Sequence, residues 1–281
     1  MKKKTSGIWT TVLVVLIFLA GLSLLLYPTF SNYWNSLHQS QAITSYDDAV
    51  NQLREEEYQR LWEAAEEYNR SLLSRPNSFA LTQEQTLAYG EMLSTGSSDV
   101  MGYLEIPVLG ITLPIRHGTG DDVLQKAVGH LEWSSLPVGG ESTHCVLSGH
   151  RGLPSSELLT NIDHLEKGDV FYLHVLGQTL EYKVDQIAVV EPGDFSLLGI
   201  TEGEDYVTLL TCTPYGINSH RLLVRGSRVA DDGSGSGSVA LSNEVRSLDV
   251  KYVAAAALLA LIVVVFLVLL LGGKKKRKDN E

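Results

Sequence analysis

Residues 208–215 read Thr208-Leu209-Leu210-Thr211-Cys212-Thr213-Pro214-Tyr215. The β-branched and aliphatic run stops at a proline turn, so Cys212 closes a strand and its thiol sits at an exposed strand end. Eight residues later a strand restarts as His220-Arg221-Leu222-Leu223-Val224-Arg225. Upstream, Leu147-Ser148-Gly149-His150-Arg151-Gly152 closes another strand on a histidine. A cysteine, a histidine and an arginine at neighbouring strand ends are the parts of an acyl-transfer site. The thiol attacks a carbonyl, the imidazole moves the proton and the guanidinium steadies the oxyanion. Spacing alone does not assign these roles, because a lone cysteine with a distant histidine is common.

Further strand-like runs lie at 111–115, 145–148, 170–175, 180–190, 206–211 and 222–229, separated by Gly, Pro and Asp turns. Many short strands of this kind predict a closed antiparallel barrel or a sandwich. Pro114 marks the 111–115 run as an edge strand. Residues 121–128 read as one or two helical turns with Asp121 and Asp122 at the N-terminus, a better account of those carboxylates than a cation site. In front of the strands, Ser45-Tyr46-Asp47-Asp48 resembles an N-cap. Val50, Leu53, Leu61, Trp62, Ala65, Tyr68 and Leu72 then recur at helical spacing, which predicts an amphipathic helix ended by Pro76. A second short helix is expected over about 82–93.

The 281 residues carry 22 basic and 33 acidic side chains, a net charge of −11, but this average hides an uneven distribution. Residues 7–27 and 252–271 are uncharged and apolar, each run about 20 residues and so long enough to cross a bilayer as a helix. Lys2, Lys3 and Lys4 precede the first, and Lys274, Lys275, Lys276, Arg277 and Lys278 follow the second. Leaving out those eight basic residues, and Asp279 and Glu281 beside them, reduces the remainder to 14 basic against 31 acidic, or −17. So acidic a middle section excludes nucleic-acid binding as a main function. Basic clusters outside both spans predict cytoplasmic termini and 224 exterior residues, 28–251. A cleaved signal peptide is the competing reading of the first span. The length of the apolar run and the want of a small-x-small cleavage site favour an anchor. The expected divisions are a basic tail (1–6), a span (7–27), an exterior helical segment (28–98), a barrel (99–230), a Gly/Ser-rich linker (231–251), a second span (252–271) and a basic tail (272–281).

Only two cysteines are present, Cys145 and Cys212. A disulfide between them and a reactive thiol are both open readings for an exterior domain.

The stretch from 102 to 228 resembles the sortases, specifically the pilus-assembling class C group. The resemblance is carried by Ile111-Thr112-Leu113-Pro114-Ile115-Arg116-His117-Gly118-Thr119, by Gly129-His130-Leu131-Glu132, by Ser135-Leu136-Pro137-Val138-Gly139-Gly140 and by Ser148-Gly149-His150-Arg151-Gly152-Leu153-Pro154. It continues through Leu165-Glu166-Lys167-Gly168-Asp169, Tyr182-Lys183-Val184-Asp185-Gln186, the Thr-Leu-x-Thr-Cys element ending at Cys212, and residues 219–226. The resemblance implies a mainly β fold: a closed eight-stranded barrel with short helices, preceded by the amphipathic segment and flanked by two transmembrane helices. It implies Cys212 as nucleophile, His150 as general acid/base and Arg221 as oxyanion or substrate stabiliser, without cofactor or metal. The implied reaction cleaves an LPXTG-like sorting signal after its threonine and holds the pilin as a thioester. It then passes the pilin to a lysine amine of another pilin subunit, on a Gram-positive cell surface.

With Cys212 near His150, Cys145 is about 16 Å distant along its strand, which makes it a buried thiol rather than a disulfide partner. Arg225 shares the face of Arg221 by strand parity and is its rival. His144, His164 and His174 read as packed or solvated, His117 and His130 as local hydrogen-bonding residues, and His220 as facing away from Arg221. The class C pattern has an Asp-Pro-aromatic lid, whereas this chain reads Ser74-Arg75-Pro76-Asn77-Ser78-Phe79 there and lacks the aspartate, so no lid role transfers. Two other functions compete: a sortase that attaches surface proteins to cell-wall peptide, and a non-catalytic, membrane-tethered exterior binding module.

Overall fold

The computed structural model describes residues 6–74, 79, 81–96, 99–229, 258 and 261. They fall into two units that divide within the first helix, between Tyr33 and Trp34. That helix, α1 (Ser6–Asn51), is the one described helix long and apolar enough to cross a membrane, with a mean hydropathy of 2.3 over its best window. The linker at 231–251 lies outside the described residues, as does all of the expected second span except Leu258 and Leu261.

α1 runs unbroken through Pro28 and Ser45. The N-cap expected at Ser45 is therefore a correction. A capping serine favours a helix start only where the preceding backbone is not already helical, and here Thr44, one residue before it, sits inside the helix and bonds back to Ser40 O at 3.0 Å. The break comes instead at residues 52–54, after which α2 (Glu55–Leu72) starts on Arg54, whose side chain meets the Glu57 carboxylate in a capping-box arrangement. α3 (Gln83–Gly90) has the conventional box, with Thr82 accepting from Gln85 N and Gln85 returning to Thr82 N.

Eight strands follow: β1 (Val100–Ile106), β2 (Ile111–His117), β3 (Val128–His130), β4 (Thr143–Ser148), β5 (Val170–Val175), β6 (Gln178–Val190), β7 (Asp205–Thr213) and β8 (His220–Arg228). They close in the order β1-β2-β3-β4-β7-β8-β6-β5, with β2–β3 and β4–β7 parallel and the remaining pairs antiparallel. β1 and β3 are strands that hydropathy alone did not single out. The helical turn α4 (Asp121–Leu124) precedes β3 and is capped by Gly120, with Asp121 and Asp122 in its first turn. The edge strand expected around Pro114 is also corrected, since β2 lies between β1 and β3. Pro114 is paired with Tyr103 of β1 on one side, while on the other β3 pairs only with Ile115, Arg116 and His117 and does not extend beside it.

Alternation sorts the side chains. Leu104, Leu113, Ile115, Leu147, Phe171, Leu173, Tyr182, Val207, Leu209 and Val224 fill the barrel interior. Cys145 is among them. On the opposite side of β4, β7 and β8, Val146, Leu210 and Leu223 form a second apolar layer with Trp133 and with Leu197 and Leu198 of the β6–β7 connection. The helices dock on the barrel by polar ties as well as packing. Tyr46 donates to Met101 O (3.1 Å) and accepts from Leu176 N (2.7 Å), and Asn69 bridges both backbone groups of Leu136.

Candidate active site

Thr208, Leu210 and Cys212 share the outward face of β7, while Val207, Leu209 and Thr211 point inward. Antiparallel pairing sets Cys212 directly opposite Arg221 on β8, and Thr213 opposite His220. On the other side of β7, β4 runs parallel in a register ending at Ser148↔Leu210. Gly149 N donates to Leu210 O at 3.0 Å, and Thr211 Oγ1 to Gly149 O at 2.7 Å. Continued in that register, two more steps along both chains set His150 level with Cys212. The three residues read from sequence thus lie toward one end of the barrel, on two strands and the loop that leaves a third. Cys212, His150 and Arg221 are each partly exposed.

Local chemistry explains why the chain folds this way. A Cβ on Gly149 would sit 2.7 Å from Leu159, so only glycine lets β4 approach the buried wall before His150. Gly152 has φ +79° and its Cα faces the Tyr215 ring, 2.9 Å from where a Cβ would lie. The His150 loop and the β7–β8 turn therefore touch.

Electrostatics separate the candidates from their rivals. Arg221 makes no ion pair among the described residues. Its Nη1 donates only to Asn218 O (3.3 Å) and His220 O (3.1 Å), which leaves the guanidinium available to a ligand. Arg225 is committed elsewhere: it grips Asp185 in a bidentate pair (3.0 and 2.7 Å) and lies 4.0 Å over the Tyr206 ring. It sits opposite Thr208, four residues back from Cys212. Both cysteines are free. Cys145 faces the core, where burial pushes its thiol well up, so it stays protonated. Its partner across the ladder is Val207, not Cys212, which corrects the disulfide alternative.

Four other histidines, His117, His130, His144 and His174, have structural duties. His144 bonds Thr208 Oγ1 (2.7 Å) and Gly199 O (2.9 Å), and burial lowers its pKa. His174 pairs with Glu105 at 2.9 Å and stacks on Tyr103. His130 is fully buried, donates to Ser135 O (2.8 Å) and meets Tyr89 Oη (2.9 Å); desolvation takes its pKa down to about 4. His117 meets Met92 O at 2.8 Å and is likewise lowered by burial. Among the described residues, no group of three or more His, Cys, Asp or Glu side chains is placed to hold a metal ion.

Two contacts were not foreseen from sequence. Arg151 reaches from the His150 loop to Thr213 Oγ1 (3.1 Å) and to Asp163. The signal lay in the Ser148–Gly149–His150–Arg151 run, but its target could not be named before the loop was placed. Phe79, the end of the segment without the lid aspartate, stacks on Phe195 at 4.7 Å and meets Trp133 edge-on at 5.0 Å. It thus lies against the connection that covers the outer apolar layer.

Comparison with known proteins agrees with this fold. The sequence model of the sortase domain matches residues 104–229. The crystal structure of sortase C1 from Streptococcus agalactiae superposes with a TM-score of 0.66 at 47% identity, covering 68% of this chain and all of that one. The sortase C of Clostridium perfringens, solved with the C-terminal cell wall sorting motif, gives a TM-score of 0.60 at 47% identity, covering 68% of this chain and 98% of its own. Sortase D of Bacillus subtilis is 34% identical over 131 residues, 46% of this chain, and the match spans 63% of the length of that relative.

Proposed function

The chain belongs to the sortase family of cysteine transpeptidases, and from that premise we propose that it is a class C-type enzyme that polymerises pilin subunits. Cys212 is the nucleophile, His150 the general acid/base and Arg221 the stabiliser of the oxyanion. The observation that carries the reading is the register: Cys212 stands opposite Arg221 and, by extension of the β4–β7 ladder, beside His150.

In the first half-reaction the Cys212 thiolate attacks the threonine carbonyl of an LPXTG-like signal. The negative charge that develops on the oxygen meets the unpaired Arg221 guanidinium. As the tetrahedral centre collapses, His150 gives its proton to the departing glycine amine and a thioester remains. In the second, a lysine amine of the next pilin attacks the thioester, His150 takes its proton and the thiolate leaves, so an isopeptide bond replaces the one cut. Leu210 and Trp133, the partly exposed members of the outer apolar layer, offer a surface for the leucine and proline of the signal. The sorting motif held by the Clostridium relative supports a ligand of this kind. We place residues 28–251 outside the cell between spans at 7–27 and 252–271, with both termini cytoplasmic.

The test uses the full-length protein in detergent with an LPXTG peptide and hydroxylamine. Release of the threonine hydroxamate, its loss in Cys212→Ala and its retention in Cys145→Ala are expected. Retention in Cys212→Ala would overturn the mechanism. Supplying pilin lysine or cell-wall peptide as acceptor then separates polymerisation from wall attachment.

A further inference from the structure

The β4–β7 ladder stops short of the proposed reacting pair. Its last paired residues are Ser148 and Leu210, and the last ties between the two chains are the Gly149–Leu210 and Thr211–Gly149 hydrogen bonds. His150 then leaves the strand and the chain turns at Gly152. His150 itself forms no hydrogen bond among the described residues. Its distance from Cys212 therefore depends on what holds the loop just beyond it.

That hold is Arg151. It follows His150 in the chain, and its Nη1 donates at 3.1 Å to Oγ1 of Thr213, the residue that follows Cys212. Its Nη2 pairs at 2.5 Å with Asp163, in the short 3-10 turn Ile162–His164, whose Ile162 is buried in the core. The side chain is only 9% exposed, and its Nε is buried without a partner. A nearly buried guanidinium with one N–H unsatisfied is costly to the fold and needs a compensating use. Arg151 differs from Arg221 in this respect. Both of its terminal nitrogens are spent on protein groups, so it is not placed to receive a ligand.

We propose that Arg151 is a positioning residue for the acyl transfer. It cross-ties the immediate neighbours of His150 and Cys212, with Asp163 as the fixed post from which the guanidinium reaches Thr213. Arginine suits the task because its planar fork serves two acceptors at a set angle, which a lysine ammonium on a flexible stem does not. The inference rests on the Cys212–His150 reading of the site.

The experiment uses the full-length protein in detergent, with steady-state kinetics on an LPXTG peptide. Wild-type activity that disappears in Cys212→Ala is the entry condition; its failure would remove the reacting pair and not Arg151 alone. With that condition met, Arg151→Ala is expected to lower kcat at least about tenfold while KM stays within about twofold, because misplacement of catalytic groups acts on the chemical step. Arg151→Lys recovers only a small part, and Thr213→Val lowers kcat in the same direction. The double variant Arg151→Ala/Thr213→Val falls no lower than Arg151→Ala, since both remove one interaction. A kcat for Arg151→Ala within about twofold of wild type, a loss confined to KM, or multiplicative losses in the double variant would each overturn the proposal. Should Arg151→Ala fail to fold, Thr213→Val and Asp163→Asn decide the matter: lowered kcat supports the cross-tie, and unchanged kcat in both overturns it.

Discussion

Arg221 and Arg225 occupy the same face of the same strand, two pleat repeats apart with Leu223 between them, and their surroundings give them opposite tasks. Arg225 is neutralised by Asp185 and stacked on Tyr206; Arg221 forms no ion pair among the described residues and donates only to the backbone oxygens of Asn218 and His220. Truncating Arg221 to alanine should lower kcat by roughly 10²–10³, the cost of losing an oxyanion donor, with little change in melting temperature. Truncating Arg225 should lower stability by about 1 kcal/mol, from a partly exposed bidentate pair and its ring contact, with kcat preserved. Kinetics and melting curves on the two variants check this, and a kcat loss in Arg225→Ala to match Arg221→Ala would reverse the assignment. Sequence parity alone left the two arginines as rivals, because alternation reports the face of a strand and not the neighbour across it. Cys145 and Cys212 were distinguishable by the same alternation only after the strands had been registered.

At the scale of elements, the helices ahead of the barrel are held by hydroxyl groups as much as by apolar packing. Tyr46 is nearly fully buried, donates to Met101 O and receives the Leu176 N–H, which joins α1 to the start of β1 and to the β5–β6 turn. Tyr46→Phe keeps the ring but orphans the Leu176 amide and the Met101 carbonyl. The expected cost is about 1–3 kcal/mol, read as a melting temperature several degrees lower, with the kinetics of peptide cleavage retained. Unchanged melting would mean that solvent reaches those groups. The apolar periodicity of α2 was readable because a helix docked on one side carries a stripe of large side chains. The break at residues 52–54 was not, since Arg54 caps through its pairing with Glu57 and lies outside the usual Ser, Thr, Asp and Asn signature.

Across the whole molecule, three histidines are kept neutral by burial: His117, His130 and His144. A depressed histidine pKa means that the unfolded chain binds a proton before the folded one does. Stability from such a group is present above the unfolded value of 6.5 and is lost as pH falls toward the folded value, about 4 for His130. The loss for His130 amounts to about 3 kcal/mol between those limits. Urea unfolding of the wild type between pH 7 and pH 4 should show this decline, and His130→Gln should flatten part of it, while starting from a less stable fold. A wild-type curve level across that window would show that His130 accepts its proton in place. By itself, the sequence determined the β-rich class, the apolar first helix and the three chemistry-bearing residue types, because alternation, apolar length and side-chain chemistry are local properties of a chain. Tertiary structure alone decided which arginine faces Cys212, that the strand carrying Pro114 is not an edge strand and that Arg151 reaches Thr213. Each of those depends on the register between strands and loops far apart in the chain, which closure of the barrel sets and no local pattern encodes.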